Sequence, residues 1–113
     1  MFMIGKSNRP TRWYSDKQEK RVAKTVRGKQ TPNSGATPFR KGDVTSELFL
    51  IECKTVTKEQ KSITVKKDWM LKNREEAFMM GKPYGAVAIN FGDIDNYYIV
   101  DEKTFLALLE GMK

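Results

Sequence analysis

Asp43, Glu52 and Lys54 are the residues of this chain whose types and spacing could do chemistry together. In the run from Leu48 to Val56, rich in apolar and β-branched residues, Glu52 and Lys54 are the two charges, one residue apart. Side chains alternate along a strand, so Leu50, Glu52 and Lys54 point one way and Phe49, Ile51 and Cys53 the other. Two charges on a partly covered face cost desolvation energy unless they pair or bind an ion. A short strand over about Gly42 to Thr45, with a tight turn near Ser46-Glu47, makes a hairpin that returns Asp43 beside them. Two carboxylates and a main-chain carbonyl can hold Mg²⁺, a hard ion that prefers oxygen. Such an ion polarises a phosphate and lowers the pKa of bound water, while Lys54 would orient the attacking water and offset charge building on the phosphate. An acidic pair plus a lysine is what phosphodiester hydrolysis without histidine requires. The same three residues also fit a surface salt bridge on an edge strand, with Asp43 a turn residue.

The chain has no histidine, which removes Ser-His-Asp and Cys-His nucleophilic schemes and His-ligated metal sites. Its one cysteine, Cys53, excludes an internal disulfide, and nothing resembles a zinc cluster. At 113 residues the expectation is one compact domain, preceded by a basic arm over residues 1–14. A composition of 39% hydrophobic residues, with aromatics spread along the chain, is that of a globular protein. No apolar run approaches the roughly 20 residues needed to cross a bilayer, and Met1 to Pro10 lacks the apolar stretch of a secretory signal. A soluble, cytoplasmic protein without a membrane partner is expected.

Charge is distributed unevenly. Met1 to Lys41 carries 11 Lys/Arg against 2 Asp/Glu, whereas Gly42 to Lys113 carries 10 against 12. The excess is N-terminal, which points to a polyanion, either nucleic acid or an acidic membrane surface, or to a solvated basic tail.

The elements that must position these residues follow from periodicity and turn chemistry. Ser15 and Gln18 have capping-box spacing, and a helix over about Asp16 to Lys29 would put Glu19, Val22, Ala23 and Val26 on one stripe. Lys17, Lys20, Arg21, Lys24 and Arg27 then form a basic exposed face. Gly28 and the run Thr31 to Pro38 end that helix in a loop. After the hairpin, Ser62 to Val65 is expected as a third short strand. A helix over about Lys66 to Met80 follows, packed through Trp69, Met70, Ala77 and Phe78 and closed by Gly81 and Pro83. Gly85 to Phe91 is a nearly continuous apolar run, as in a strand covered on both faces. Asp93 to Asn96 supplies a turn, Tyr97 to Val100 a return strand, and Glu102 to Glu110 a closing helix with Phe105, Leu106, Leu108 and Leu109. The order helix, three strands, helix, two strands, helix implies an α/β domain, a mixed sheet flanked by helices.

Gly42-Asp43, eight residues, then Glu52-Cys53-Lys54 resembles the D-x(n)-E-x-K core of the PD-(D/E)xK nucleases, which also place it on a hairpin. Glu19, on an upstream helix, resembles the further acidic residue that many members carry there. The loop Ser34-Gly35-Ala36 is similar to the serine-containing loop of archaeal and phage enzymes that resolve Holliday junctions. The resemblance spans about Ser15 to Val100, with Gly42 where the family name has proline. It implies a restriction-endonuclease-like fold and an Mg²⁺-dependent endonuclease, with Mn²⁺ able to substitute. It further implies metal ligation by Asp43, Glu52, the backbone carbonyl of Cys53 and Glu19, water activation by Lys54, and contact of Ser34 with the scissile phosphate. The expected substrate is branched DNA, a four-way junction first, and the expected assembly a homodimer making two incisions.

Other residues have a plainer reading beside the functional one. The Cys53 side chain faces away from Glu52 and Lys54, where a small buried hydrophobe belongs. Lys20, Arg21, Lys24, Arg27, Lys29 and Arg40 are expected to contact DNA. Lys58 and Lys61, just after the catalytic strand, are placed for phosphate contact. Lys66, Lys67, Lys72 and Arg74 form an ordinary solvated face or a further DNA contact. Trp13, Tyr14 and Phe39 either pack on the core or stack on exposed bases. Trp69, Met79, Met80 and Phe91 are interface candidates that serve equally as core. Two alternatives stand beside the resolvase: a nicking or repair endonuclease of the same fold, and a non-catalytic nucleic-acid-binding module whose acidic residues are structural.

Overall fold

The computed structural model describes residues 11–31 and 43–113. Ser34, Phe39, Arg40 and most of the expected basic arm, residues 1–10, lie outside the described residues. Helix α1 runs Thr11–Val26, followed by β1 (Lys29–Gln30), β2 (Asp43–Thr45), β3 (Phe49–Thr55), α2 (Lys67–Met79), β4 (Tyr84–Asn90), β5 (Asn96–Ile99) and α3 (Glu102–Gly111). The five strands form one sheet in the order β1-β2-β3-β4-β5, with β3 and β4 parallel and the other neighbours antiparallel. A parallel pair needs a long crossover, and α2 is that crossover. The fold is α/β, a mixed five-stranded sheet with three helices.

The three helices and four of the five strands fall where expected; the fifth strand does not, and α1 ends at Val26 rather than Lys29. Residues 62–66 hold no strand; the remaining strand is Lys29–Gln30, at the sheet's outer edge. The apolar content of Ile63 and Val65 drew the expectation there, but that segment pairs with no strand of the sheet. α1 also begins earlier than Asp16, so Thr11 to Tyr14 belong to the helix and Ser15 lies inside it rather than capping it.

The two faces of the sheet are covered differently. Val22 of α1 packs with Val44, Ile51, Ala86 and Ala88. Those four strand residues share one face by register. The other parity, Leu50, Val87 and Ile89, is buried on the α2 face, so β4 is apolar on both sides, as a covered central strand must be. Each aliphatic side chain withdrawn from water in this way contributes about 2 kcal/mol.

α2 approaches the sheet through a polar contact. Asn73 is buried and its Nδ2 donates to the Leu50 carbonyl at 3.2 Å. Gly85 lies directly beneath it, and a Cβ there would collide with the Asn73 amide. The helix ends in a Schellman arrangement, with Gly81 at φ 74°, its N–H on Phe78 O at 3.0 Å and the Lys82 N–H on Ala77 O at 2.8 Å. Phe78, expected as a packing residue, is 83% exposed on the outer side of that last turn. Asp101 caps α3 by accepting from the Thr104 N–H at 2.8 Å. The expected apolar face of α3 covers little, since Phe105, Leu106, Leu108 and Leu109 all stay exposed. No helix among the described residues is long and apolar enough to cross a membrane.

Candidate active site

The β2–β3 hairpin closes through Ser46, whose N–H donates to Phe49 O at 3.0 Å and whose Oγ accepts from the Phe49 N–H at 3.2 Å. That turn fixes the register, and in it Asp43 stands opposite Glu52. The Asp43 carbonyl accepts from the Thr31 N–H at 3.1 Å, on the β1 side. Its backbone groups therefore point away from β3, and Asp43–Glu52 is a non-hydrogen-bonded pair, the kind that brings facing side chains closest. Carbonyl directions alternate along β3, so the Cys53 carbonyl points to the β2 side, next to this pair.

Asp43 is almost wholly buried at 2% exposure. Its Oδ1 accepts no hydrogen bond, although the residue has other interactions. Glu52 and Lys54 are half-buried, and Lys54 Nζ lies 2.9 Å from Glu52 Oε2. The same ammonium sits 4.7 Å from the centre of the Trp69 ring, so α2 supplies a cation–π wall for the lysine. Trp69, expected as core or interface, thus lines the candidate site.

Cys53 belongs to the opposite face, packed against the α1 core. Burial pushes its thiol well above the usual cysteine range, and the carboxylates of Glu19, Asp43 and Glu52 push it further in the same direction. All three acids therefore act electrostatically on one sulfur. Glu19 has a different local setting. It projects from α1, and its Oε1 accepts from Gln30 Nε2 at 3.0 Å, a donor shared with Asp16. Among the described residues no group of three or more His, Cys, Asp or Glu side chains stands ready to hold a metal ion. The structure brings Asp43, Glu52 and Lys54 together on one face of the sheet, and Glu19 projects from α1, the helix packed over Val44, Ile51 and Cys53.

The donor set fits a hard cation in kind: two facing carboxylates, one of them buried, and a neighbouring carbonyl. Like charges opposite each other in a strand pair repel, and a cation between them removes that repulsion.

The expected DNA contacts divide. Lys24, Arg27 and Lys29 are exposed; Lys20 is exposed and paired with Asp16 at 3.1 Å. Arg21 departs from the expected free face, being half-buried with Nη1 on the Ile94 carbonyl at 3.2 Å. The α1 surface looks away from the sheet, on the side opposite Glu52 and Lys54. Lys58 and Lys61 are exposed in the loop after β3, at the same strand ends as the candidate site. Gln60 N–H on Phe91 O at 2.9 Å and the close approach of Gly92 to the Glu59 backbone hold that loop there.

Two buried polar positions that tie helices to the sheet escaped sequence reading. Gln18 is buried beneath α1, its Nε2 donating to Lys54 O at 3.0 Å, Ala88 O at 3.1 Å and Asn96 Oδ1 at 3.1 Å. Its spacing of four from Val22 placed it on the buried stripe and was the available signal. Asn73 likewise lies four residues before the buried Ala77. Comparison of the chain with protein-family models, with curated proteins and with solved structures returned no match.

Proposed function

We propose that the chain is a metal-dependent endodeoxyribonuclease of restriction-endonuclease-like fold, hydrolysing phosphodiester bonds at branched DNA such as four-way junctions. The observation that carries this reading is the Asp43–Glu52 register with Lys54 held on Glu52. Asp43, Glu52 and the Cys53 carbonyl would hold Mg²⁺ or Mn²⁺, which supplies a polarised phosphate and a more acidic bound water. Lys54, gripped between Glu52 and the Trp69 ring, positions its ammonium N–H groups beside the carboxylates, where they orient a water and offset charge on the phosphate. Glu19 contributes negative potential from behind the strand. Lys58 and Lys61 lie where a phosphate track would leave the site, and exposed Lys20, Lys24, Arg27 and Lys29 add attraction at longer range.

Resolving a four-way junction takes two incisions, and each chain offers one acid-acid-lysine cluster, so the reading includes a two-fold dimer. Of the interface residues expected from sequence, Met79 is well exposed at 76%, whereas Trp69, Met80 and Phe91 are half-buried. The test is a cleavage gel with linear, nicked, flap and four-way DNA. Symmetric cutting of the junction is expected in Mg²⁺ or Mn²⁺, and binding without cutting in Ca²⁺, whose looser coordination positions water poorly. Full activity in EDTA would contradict the mechanism. Uptake of no divalent ion, with DNA still bound, would favour the non-catalytic binding module.

A further inference from the structure

A second concave site lies at the C-terminal ends of β3 and β4, beyond Lys54. It is a cavity of about 180 Å³ between the first half of α1 and the β4–β5 turn, lined among others by Trp13, Tyr14, Lys17, Gln18, Arg21 and Asn90. We infer that this cavity takes a single unpaired nucleobase of DNA. The inference rests on the nucleic-acid part of the proposed function but not on its metal chemistry.

The lining has the chemistry of a base site. Trp13 and Tyr14 meet edge to face at 4.9 Å between centroids, which leaves a π surface at the mouth, and Lys17 Nζ stands 5.0 Å from the Trp13 ring centre. Trp13 is 38% exposed despite its size. Aromatic rings beside cations are how proteins hold unpaired bases irrespective of sequence. Arg21 keeps one nitrogen on Ile94 O and closes the rim with positive charge.

The floor is a built polar network. Gln18 Nε2 donates to two backbone carbonyls, which can only accept, so the amide orientation is determined and Oε1 must face away from them. That Oε1 is buried and has no hydrogen-bond donor. Asn90 shares Asn96 Oδ1 with Gln18 and holds the β4–β5 turn through Asp95 O and the Gly92 N–H, so the floor is rigid. The volume is below the roughly 300–1,000 Å³ of pockets for drug-sized ligands, and suits one base rather than a nucleotide chain. Gln18 also holds the carbonyl of Lys54, linking the cavity to the strand that carries the candidate active site.

The experiment measures binding of the full chain, in EDTA, to a fluorescein-labelled mixed-sequence single-stranded 12-mer and to the same 12-mer with abasic sites, which keeps the phosphates and removes the bases. The intact strand is expected to bind about tenfold more tightly than the abasic one, the effect of one base stacked on an aromatic ring. Trp13→Ala should abolish that difference without changing affinity for the abasic strand, and Trp13→Phe should restore most of it. Equal affinity for the two strands, no binding to either, or a difference that survives Trp13→Ala would overturn the inference. Cleavage of a four-way junction in Mg²⁺ by the same preparation separates the two proposals. Cutting without base preference sinks only the base site, and base preference without cutting sinks only the nuclease.

Discussion

Asp43 faces Glu52 across the antiparallel pairing of β2 and β3, in the narrow type of pair, with Lys54 bound to the outer carboxylate at 2.9 Å. Without a cation, two carboxylates so placed repel, and Asp43 does so from a buried position. Asp43→Asn, Glu52→Ala and Lys54→Ala should each lower cleavage by about three orders of magnitude or more while folding and DNA binding persist, because members of such a unit act together. Single-turnover cleavage checks this, with thermal melts as the control for folding. Normal turnover in Asp43→Asn would sink the site assignment.

The Cys53 thiol is held neutral by burial and by the negative potential of Glu19, Asp43 and Glu52. At pH 8 its reaction with Ellman's reagent should be roughly tenfold or more slower in the folded protein than in urea, since the thiolate is the reactive species. Cys53→Ala should keep cleavage, because the group offered to a cation is the backbone carbonyl. Rapid labelling in the folded state, or lost cleavage in Cys53→Ala with the fold intact, would contradict this account.

Salt dependence of DNA binding should report which basic residues touch phosphate. Lys58 and Lys61 share the strand ends with the candidate site, whereas Lys20, Lys24 and Arg27 lie on the outer side of α1. Replacing Lys58 and Lys61 by Gln is expected to flatten the log–log salt slope on duplex DNA by about 0.9 for each phosphate no longer neutralised. The α1 replacements should flatten it less. An unchanged slope in the Lys58/Lys61 double variant would remove that loop from the phosphate track.

Asp101 links α2 to α3. Its carboxyl is held below the usual aspartate range, first by the Thr104 backbone N–H, then by the Thr104 hydroxyl and Arg74. A depressed folded pKa gives stability that is present above the unfolded value and lost as pH falls through the folded one. That contribution should be complete at neutral pH and fade below about pH 4. Asp101→Ala should cost about 1 kcal/mol at pH 7, the usual worth of a cap, and weaken the acid dependence. Asp101→Asn keeps the cap but loses the Arg74 pair and the acid dependence. Urea melts at pH 7 and pH 3 distinguish these outcomes.

The dimer is tested by light scattering at micromolar protein, with and without a four-way junction. A two-fold assembly is expected at least in the presence of the junction. A strict monomer in both states that still cuts symmetrically would refute the dimer and leave the nuclease chemistry untouched.

The three helices, four of the five strands, the hairpin and the placing of Asp43 beside Glu52 and Lys54 were legible in the sequence, because alternation and turn chemistry act over a few residues. Turn length fixes register, and register fixes which side chains share a face. The doubly covered strand at Tyr84–Asn90 was legible for a related reason, since its apolar run has no polar side to expose. Partners distant in sequence were decided by tertiary structure. Ile63 and Val65 carry the composition of a strand, but a strand needs a neighbour, and the edge went to Lys29–Gln30. Glu19 lies on the expected buried stripe of α1, but where its carboxylate falls relative to Glu52 depends on how that helix packs on the sheet, which periodicity alone does not state. Gln18 reaches across 70 residues to Ala88, a bond that no local pattern encodes. Nor could composition show that Phe105, Leu106, Leu108 and Leu109 stay exposed. An apolar residue is buried only where other elements arrive to cover it, and that depends on how the whole chain packs.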